Sequence, residues 1–202
     1  MKIIIKFIIK KKYRVAFFLK LWILWSMLYQ WIECTFMSIS DMEDRNPHEF
    51  GPIIGWEKFC KTQKLKHYGG DRWYMLWDVI SHPLRFLYRT EGDCDDFALL
   101  GYRYFGDSIL FEGDLYDKVG LSTINFEDTS SHAVFVWMNK DRTDLLVVSN
   151  KELTAIHGIE DLVCGDIAWI SLIDVVEDGG VYSMKLDSVS NVDNYRKTWK
   201  MK

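Results

Sequence analysis

The sequence predicts an α+β fold, and three observations carry that reading. The first third is apolar at helical spacing. A glycine-led turn, Gly92-Asp93-Cys94-Asp95-Asp96, then opens an apolar run from Phe97 to Phe105 that reads as a buried helix. From Val119 onward the period changes to β-rich runs separated by short polar turns. At 202 residues, with 49% hydrophobic and 27% charged residues, the chain is long enough for one domain with a core plus an appendage, and too apolar for disorder. Aromatics make up 15%, including nine Trp, so the interior is expected to be bulky.

In chain order, Lys2, Lys6 and Lys10 fall along one helical face with Ile and Phe between them. Val15 to Ile32 is an apolar stretch broken only by Lys20, Ser26 and Gln30, just long enough to span a bilayer. A signal anchor, an interfacial amphipathic helix and a long helix packed on its own domain all fit it. No small-residue cleavage site follows, which disfavours a removable signal peptide. Residues 1–40 therefore read as a basic, hydrophobic helical segment, with the domain from about Asp41 expected to be soluble by itself. Ser38 to Pro52 is polar and reads as a linker. Trp56 to Tyr68 and Asp71 to Ile80 read as two short helices, the second capped by Asp71 after Gly69-Gly70. Pro83 is expected to end helical geometry before the cysteine turn. Val119 to Phe126, His132 to Met138 and Leu145 to Ser149 read as an antiparallel meander, joined by strands at Ile167 to Ile173 and Val181 to Leu186. The main domain is thus placed at 41–186 and a polar tail at 187–202.

Charge is unevenly spread. Seven cations (Lys2, Lys6, Lys10, Lys11, Lys12, Arg14, Lys20) against Glu33 give residues 1–40 a net +6, and the total of −4 leaves −10 for the rest. An acidic globular part argues against a nucleic-acid partner. The cationic end, interleaved with Ile and Phe, points to a membrane surface or an acidic partner. The four cysteines (Cys34, Cys60, Cys94, Cys164) are far apart, with neither zinc-site spacing nor a dense disulfide framework, and a reducing compartment is the simpler reading. Cytoplasmic, membrane-associated and virion-associated placements all stay open.

Cys94 sits where unpaired backbone N–H groups and a helix dipole favour a thiolate. A free cysteine is often only a small buried hydrophobe. Its neighbours Asp93, Asp95 and Asp96 are a setting core cysteines rarely occupy. Those carboxylates oppose ionisation of the thiol, so a functional Cys94 needs the helix terminus and an imidazolium to outweigh them. Their spacing does not match a calcium loop, and neither metal nor cofactor is expected. His132, in Ser131-His132-Ala133-Val134, enters an apolar β run. A lone histidine there is usually only packed, but its polar approach puts it at a strand edge facing a cleft. His48, His67, His82 and His157 have no comparable context.

The string GDCDDFA, then HAV at a strand start, then a strand ending in Ser149-Asn150, resembles the transglutaminase-like superfamily. It is most similar to the bacterial and phage transglutaminase-like cysteine proteinases, over about residues 70–175. The resemblance implies a papain-like site and no cofactor. Cys94 would be the nucleophile and His132 the general base and then acid, with a third residue orienting the imidazole. The family most often has Asp-Asn at the end of the following strand, where this chain has Ser149-Asn150. Adjacent strand residues face opposite sides, so one of them serves. Asn150 is the expectation, because its amide oxygen accepts while staying neutral; Ser149 is the alternative. An oxyanion hole would combine the Cys94 N–H with an upstream side chain, for which Tyr88 is the candidate, beside Trp77 and Trp73. The implied activity is hydrolysis of a peptide or protein amide through an acyl-thioester. The alternative is a catalytically inactive interaction module of the same fold, membrane- or virion-associated.

Overall fold

The computed structural model describes residues 2–36, 51–68, 79–128, 130–178 and 181–191; within the first helix, the side chains described are those of residues 11–35. The architecture is mixed α+β, with four helices and a mostly antiparallel sheet.

Helix α1 (Lys2–Phe36) contains neither Gly nor Pro and runs unbroken for 35 residues. Ile23, Ser26, Gln30 and Glu33, three or four apart, form its buried face. Ile23 joins the hydrophobic core, and the other three make polar contacts. Ile80 N–H donates to Ser26 Oγ (3.1 Å), Gln30 Nε2 donates to Ile80 O (3.1 Å), and His82 N–H donates to Glu33 Oε2 (2.9 Å). Helix α1 thus docks on the domain and also packs along its last strand.

Helix α2 (Pro52–Thr62) opens on proline, whose missing N–H costs nothing at that place, and buries Gly55, Trp56 and Cys60. The helix expected to reach Tyr68 stops at Thr62, and Lys66–His67 form a two-residue strand, β1, instead. The expected helix from Asp71 lies mostly outside the described residues, and its last two, Val79 and Ile80, are not helical. Pro83 begins a helix rather than ending one. Helix α3 (Pro83–Arg89) has proline in its first turn, and His82 Nδ1 caps it by accepting from Leu84 N–H at 3.2 Å. It closes on Thr90 in the left-handed region (φ 60°), whose N–H returns to Phe86 O at 2.8 Å. Strand β2 (Glu91–Gly92) pairs in parallel with β1, and helix α4 (Cys94–Phe105) follows.

The remaining strands are β3 (Ser108–Phe111), β4 (Asp114–Phe126), β5 (Ser131–Asn139), β6 (Leu145–Ser149), β7 (Glu152–Ile156), β8 (Ile167–Asp178) and β9 (Val181–Ser190). They form one sheet in the order β7-β6-β5-β4-β8-β9, with β3 pairing the start of β4. The expected meander is β4-β5-β6. Strand β9 runs to Ser190, past the boundary placed at 186, and β3 and β7 are additions. One sheet face carries Leu121, Ala133, Phe135, Trp137, Leu146, Val148 and Ile173 and packs under the helices with Trp56, Phe86 and Phe97. The other carries Ile124, Val134, Val136, Leu145, Val147 and Ile170 and is covered by a 3-10 turn at Ile159–Leu162. Alternation along each strand sorts the side chains between these two cores.

Candidate functional site

Short-range geometry delivers Cys94 to the first turn of α4, with Asp93 in extended conformation as the residue before it. Gly92 is required for the approach. A Cβ there would lie 2.5 Å from Asp96 Oδ2 and 2.8 Å from Phe86 Cε2. Asp96 itself is buried and accepts from Ser81 N–H at 2.7 Å, tying the start of α4 to the segment before α3. One turn from its end, α4 rests directly on β6: a Cβ on Gly101 would meet Val148 side-chain atoms at 2.8–3.0 Å. The thiol is therefore held by close backbone approaches, not by a flexible loop.

The half-buried Cys94 sulfur accepts a hydrogen bond from Ala133 N–H at 3.3 Å, beyond the last β5–β6 pair, Phe135↔Val148. The neighbouring residue is His132, whose Nε2 lies 2.9 Å from Ser149 Oγ. This corrects the expectation for the third residue. Ser149, and not Asn150, meets the imidazole. The register explains it. Ile124 opposite His132, and Phe135 opposite Val148, put His132, Val134, Val147 and Ser149 on the sheet face opposite the one that packs under α4, so Cys94 meets this strand through the Ala133 backbone N–H, while Asn150 lies past the end of β6 in the turn. Asn150 occupies a left-handed turn position (φ 53°), and its amide oxygen is buried with no hydrogen-bond partner among the described residues.

Cys94 and His132 line one cleft of about 500 Å³. Lys11, Arg14, Val15, Phe18, Leu19 and Trp22 of α1 form one wall. The opposite wall comes from β4, β5 and β8, including Thr123, Asn125, Phe126 and Trp169. Tyr88 does not belong to it. Its side chain is 70% exposed on the outer side of α3, with the Arg85 guanidinium 5.5 Å over its ring, so the oxyanion candidate is withdrawn. Trp73 and Trp77 lie outside the described residues.

Two residues join the site that sequence reasoning passed over. Asn125 lines the cleft and has a buried amide oxygen with no partner among the described residues. It stands directly opposite Ser131 in the β4–β5 ladder, so only knowledge of the pairing would have singled it out. His67 is carried by β1 beside Gly92 and acts electrostatically on His132. The His132 pKa lies below the ordinary 6.5, first because burial penalises the imidazolium and second because of His67. The neutral ring is the form a general base needs. Cys60, buried on α2, has its thiol pushed up to about 12 by burial.

Asp93, Asp95 and Asp96 are buried with a carboxylate oxygen apiece inside 4.8 Å, the group among the described residues able to present oxygen donors to a cation. Asp96 is already engaged by Ser81 N–H, a structural use. No family model, curated protein or solved structure matches this chain.

Proposed function

We propose that the chain is a thiol hydrolase of transglutaminase-like fold that cleaves an amide bond in a peptide or protein. Cys94 serves as nucleophile, His132 as general base and then acid, and Ser149 as the residue that orients the imidazole. One observation carries the reading: the Cys94 sulfur opens a helix and takes the Ala133 N–H, while the adjacent His132 is held from behind by Ser149 at the same cleft.

In this reading the ring carries its proton on Nε2 and donates it to Ser149 Oγ, which leaves the Nδ1 lone pair to take the thiol proton. The thiolate attacks the carbonyl carbon, forming a C–S bond, and the imidazolium protonates the departing amine as the C–N bond breaks. Water then adds to the thioester with its proton taken by His132, and the C–S bond breaks to release the acid and restore the thiol. The oxyanion is met by the backbone N–H of Cys94, in the first turn of α4, and by the amide N–H of Asn125 in place of Tyr88. We also propose that the protein works at a membrane, since α1 is long and apolar enough to cross one.

The test is alkylation by iodoacetamide near neutral pH, followed site by site by mass spectrometry. The exposed Cys164 is an internal reference. Cys94 is expected to react faster than Cys164 although it is less accessible, and to lose that advantage in His132→Ala. A Cys94 slower than Cys164 in the wild-type chain selects the inactive interaction module instead.

A further inference from the structure

Helix α1 is amphipathic in the inverted sense. Its polar residues Ser26, Gln30 and Glu33 face the domain, where each makes one hydrogen bond to the backbone of Ile80 or His82. Outside are Tyr13, Phe17, Leu24, Leu28, Trp31 and Ile32, each 40–70% exposed. At roughly 100° per residue these six, with the also exposed Phe18 and Trp25, fall within an arc of about 140°, broader than the seam of a two-stranded coiled coil. A helix meeting water would carry the opposite pattern. Large exposed apolar patches of this kind mark an interaction surface.

Charge identifies the occupant. Lys11, Lys12, Arg14 and Lys20 are exposed in the N-terminal half of the same helix, and its single acid, Glu33, is buried. A second copy would bring the same positive charge to the contact, whereas an anionic lipid surface brings the opposite one. The fold decides the orientation. Strand β9, an edge strand with Lys185 and Asp187 exposed, packs along α1, as does the segment around Ile80–His82. A membrane-crossing α1 would carry an open sheet edge into hydrocarbon, where its free N–H and C=O groups have no partner.

We infer that the outer face of α1 lies flat on an anionic bilayer, so that one helix is the common wall between lipid and the Cys94 cleft. Its inner face supplies Val15, Leu19 and Trp22 to that cleft while the outer face meets the acyl chains. The inference rests on the membrane association proposed above and is independent of the thiol chemistry.

The experiment uses the full chain with vesicles of phosphatidylcholine alone or with phosphatidylglycerol. Flotation reports binding, and quenching of tryptophan by lipids brominated at different depths reports position. Binding to the phosphatidylglycerol vesicles is expected at least tenfold tighter than to phosphatidylcholine alone, weakened by salt, with quenching strongest for shallow bromines. Leu24→Glu/Leu28→Glu should weaken binding at least tenfold while the lipid-free melting temperature holds, since neither side chain enters the core. Strongest quenching by bromines near the bilayer centre overturns the flat orientation and leaves membrane association standing. Absence of flotation with either vesicle overturns both. A dimer in ultracentrifugation that Leu24→Glu/Leu28→Glu dissolves, without vesicle binding, assigns the face to a second copy and overturns the inference.

Discussion

Replacing Ser149 by alanine isolates what the third residue contributes. The 2.9 Å contact to His132 Nε2 is the hydrogen bond this ring makes among the described residues. Its loss removes a net contribution of about 1 kcal/mol, and a half-buried imidazole nitrogen left unpaired raises the cost to about 1–3 kcal/mol. If all of that falls on the reacting geometry, the rate drops about 5- to 150-fold at roughly 1.4 kcal/mol per factor of ten. The control is Asn150→Gly, which keeps the left-handed backbone (φ 53°) without a Cβ and removes only the amide. The assay is the second-order rate of Cys94 alkylation, with melting temperatures of both variants recorded beside it. Ser149→Ala should fall by that factor and Asn150→Gly should stay within about twofold of wild type, a gap of less than about 0.5 kcal/mol. A Ser149→Ala chain as reactive as wild type, with the loss moved to Asn150→Gly, refutes the assignment.

Two further outcomes follow from the same geometry. Gly92→Ala puts a methyl group 2.5 Å from Asp96 Oδ2 and 2.8 Å from Phe86 Cε2, which forces the start of α4 to shift; overpacking of this kind costs about 1–3 kcal/mol, read as a lower denaturant midpoint together with slower Cys94 alkylation, and an unchanged midpoint contradicts the packing. His132 should titrate below 6.5 by NMR, and His67→Ala should raise it partway, since burial is the larger cause. The sign for stability is that the unfolded state takes up the proton first, so this group's contribution is full above pH 6.5 and is lost as pH falls through the folded value; a His132 titrating above 6.5 would contradict it.

What the sequence disclosed was mostly local. The turn Gly92-Asp93-Cys94 and the helix behind it are legible because glycine spacing, capping residues and an apolar run act over a few neighbours. The strands β4 and β5 are legible because their apolar and β-branched runs are long, and β6 because Leu145-Leu146-Val147-Val148 is an unbroken apolar run. Pro83 misled because proline both stops helices and starts them, and the following Leu-Arg-Phe-Leu-Tyr decided which. Tyr88 failed with it, since its outward position follows from α3. The pairs β3 and β7 are four and five residues long and too short to show a period. Choosing Ser149 over Asn150 required the register Phe135↔Val148, a non-local fact that no residue near either position encodes. The spacing of Ser26, Gln30 and Glu33 was visible, but their partners sit about fifty residues on.

The packing of α1 on β9 has a consequence for biosynthesis. The surface that receives the helix is built in part from the last strand, so α1 leaves the ribosome long before that surface exists. At roughly 5–20 residues per second, the interval between the two lasts on the order of ten seconds. Until Ile80 and His82 follow about fifty residues later, Ser26, Gln30 and Glu33 have only water as a partner, and Phe17, Leu24 and Trp31 have nowhere apolar to go but a chaperone or a lipid surface. The order of synthesis itself therefore exposes this helix before the last strand of its own domain exists to receive it.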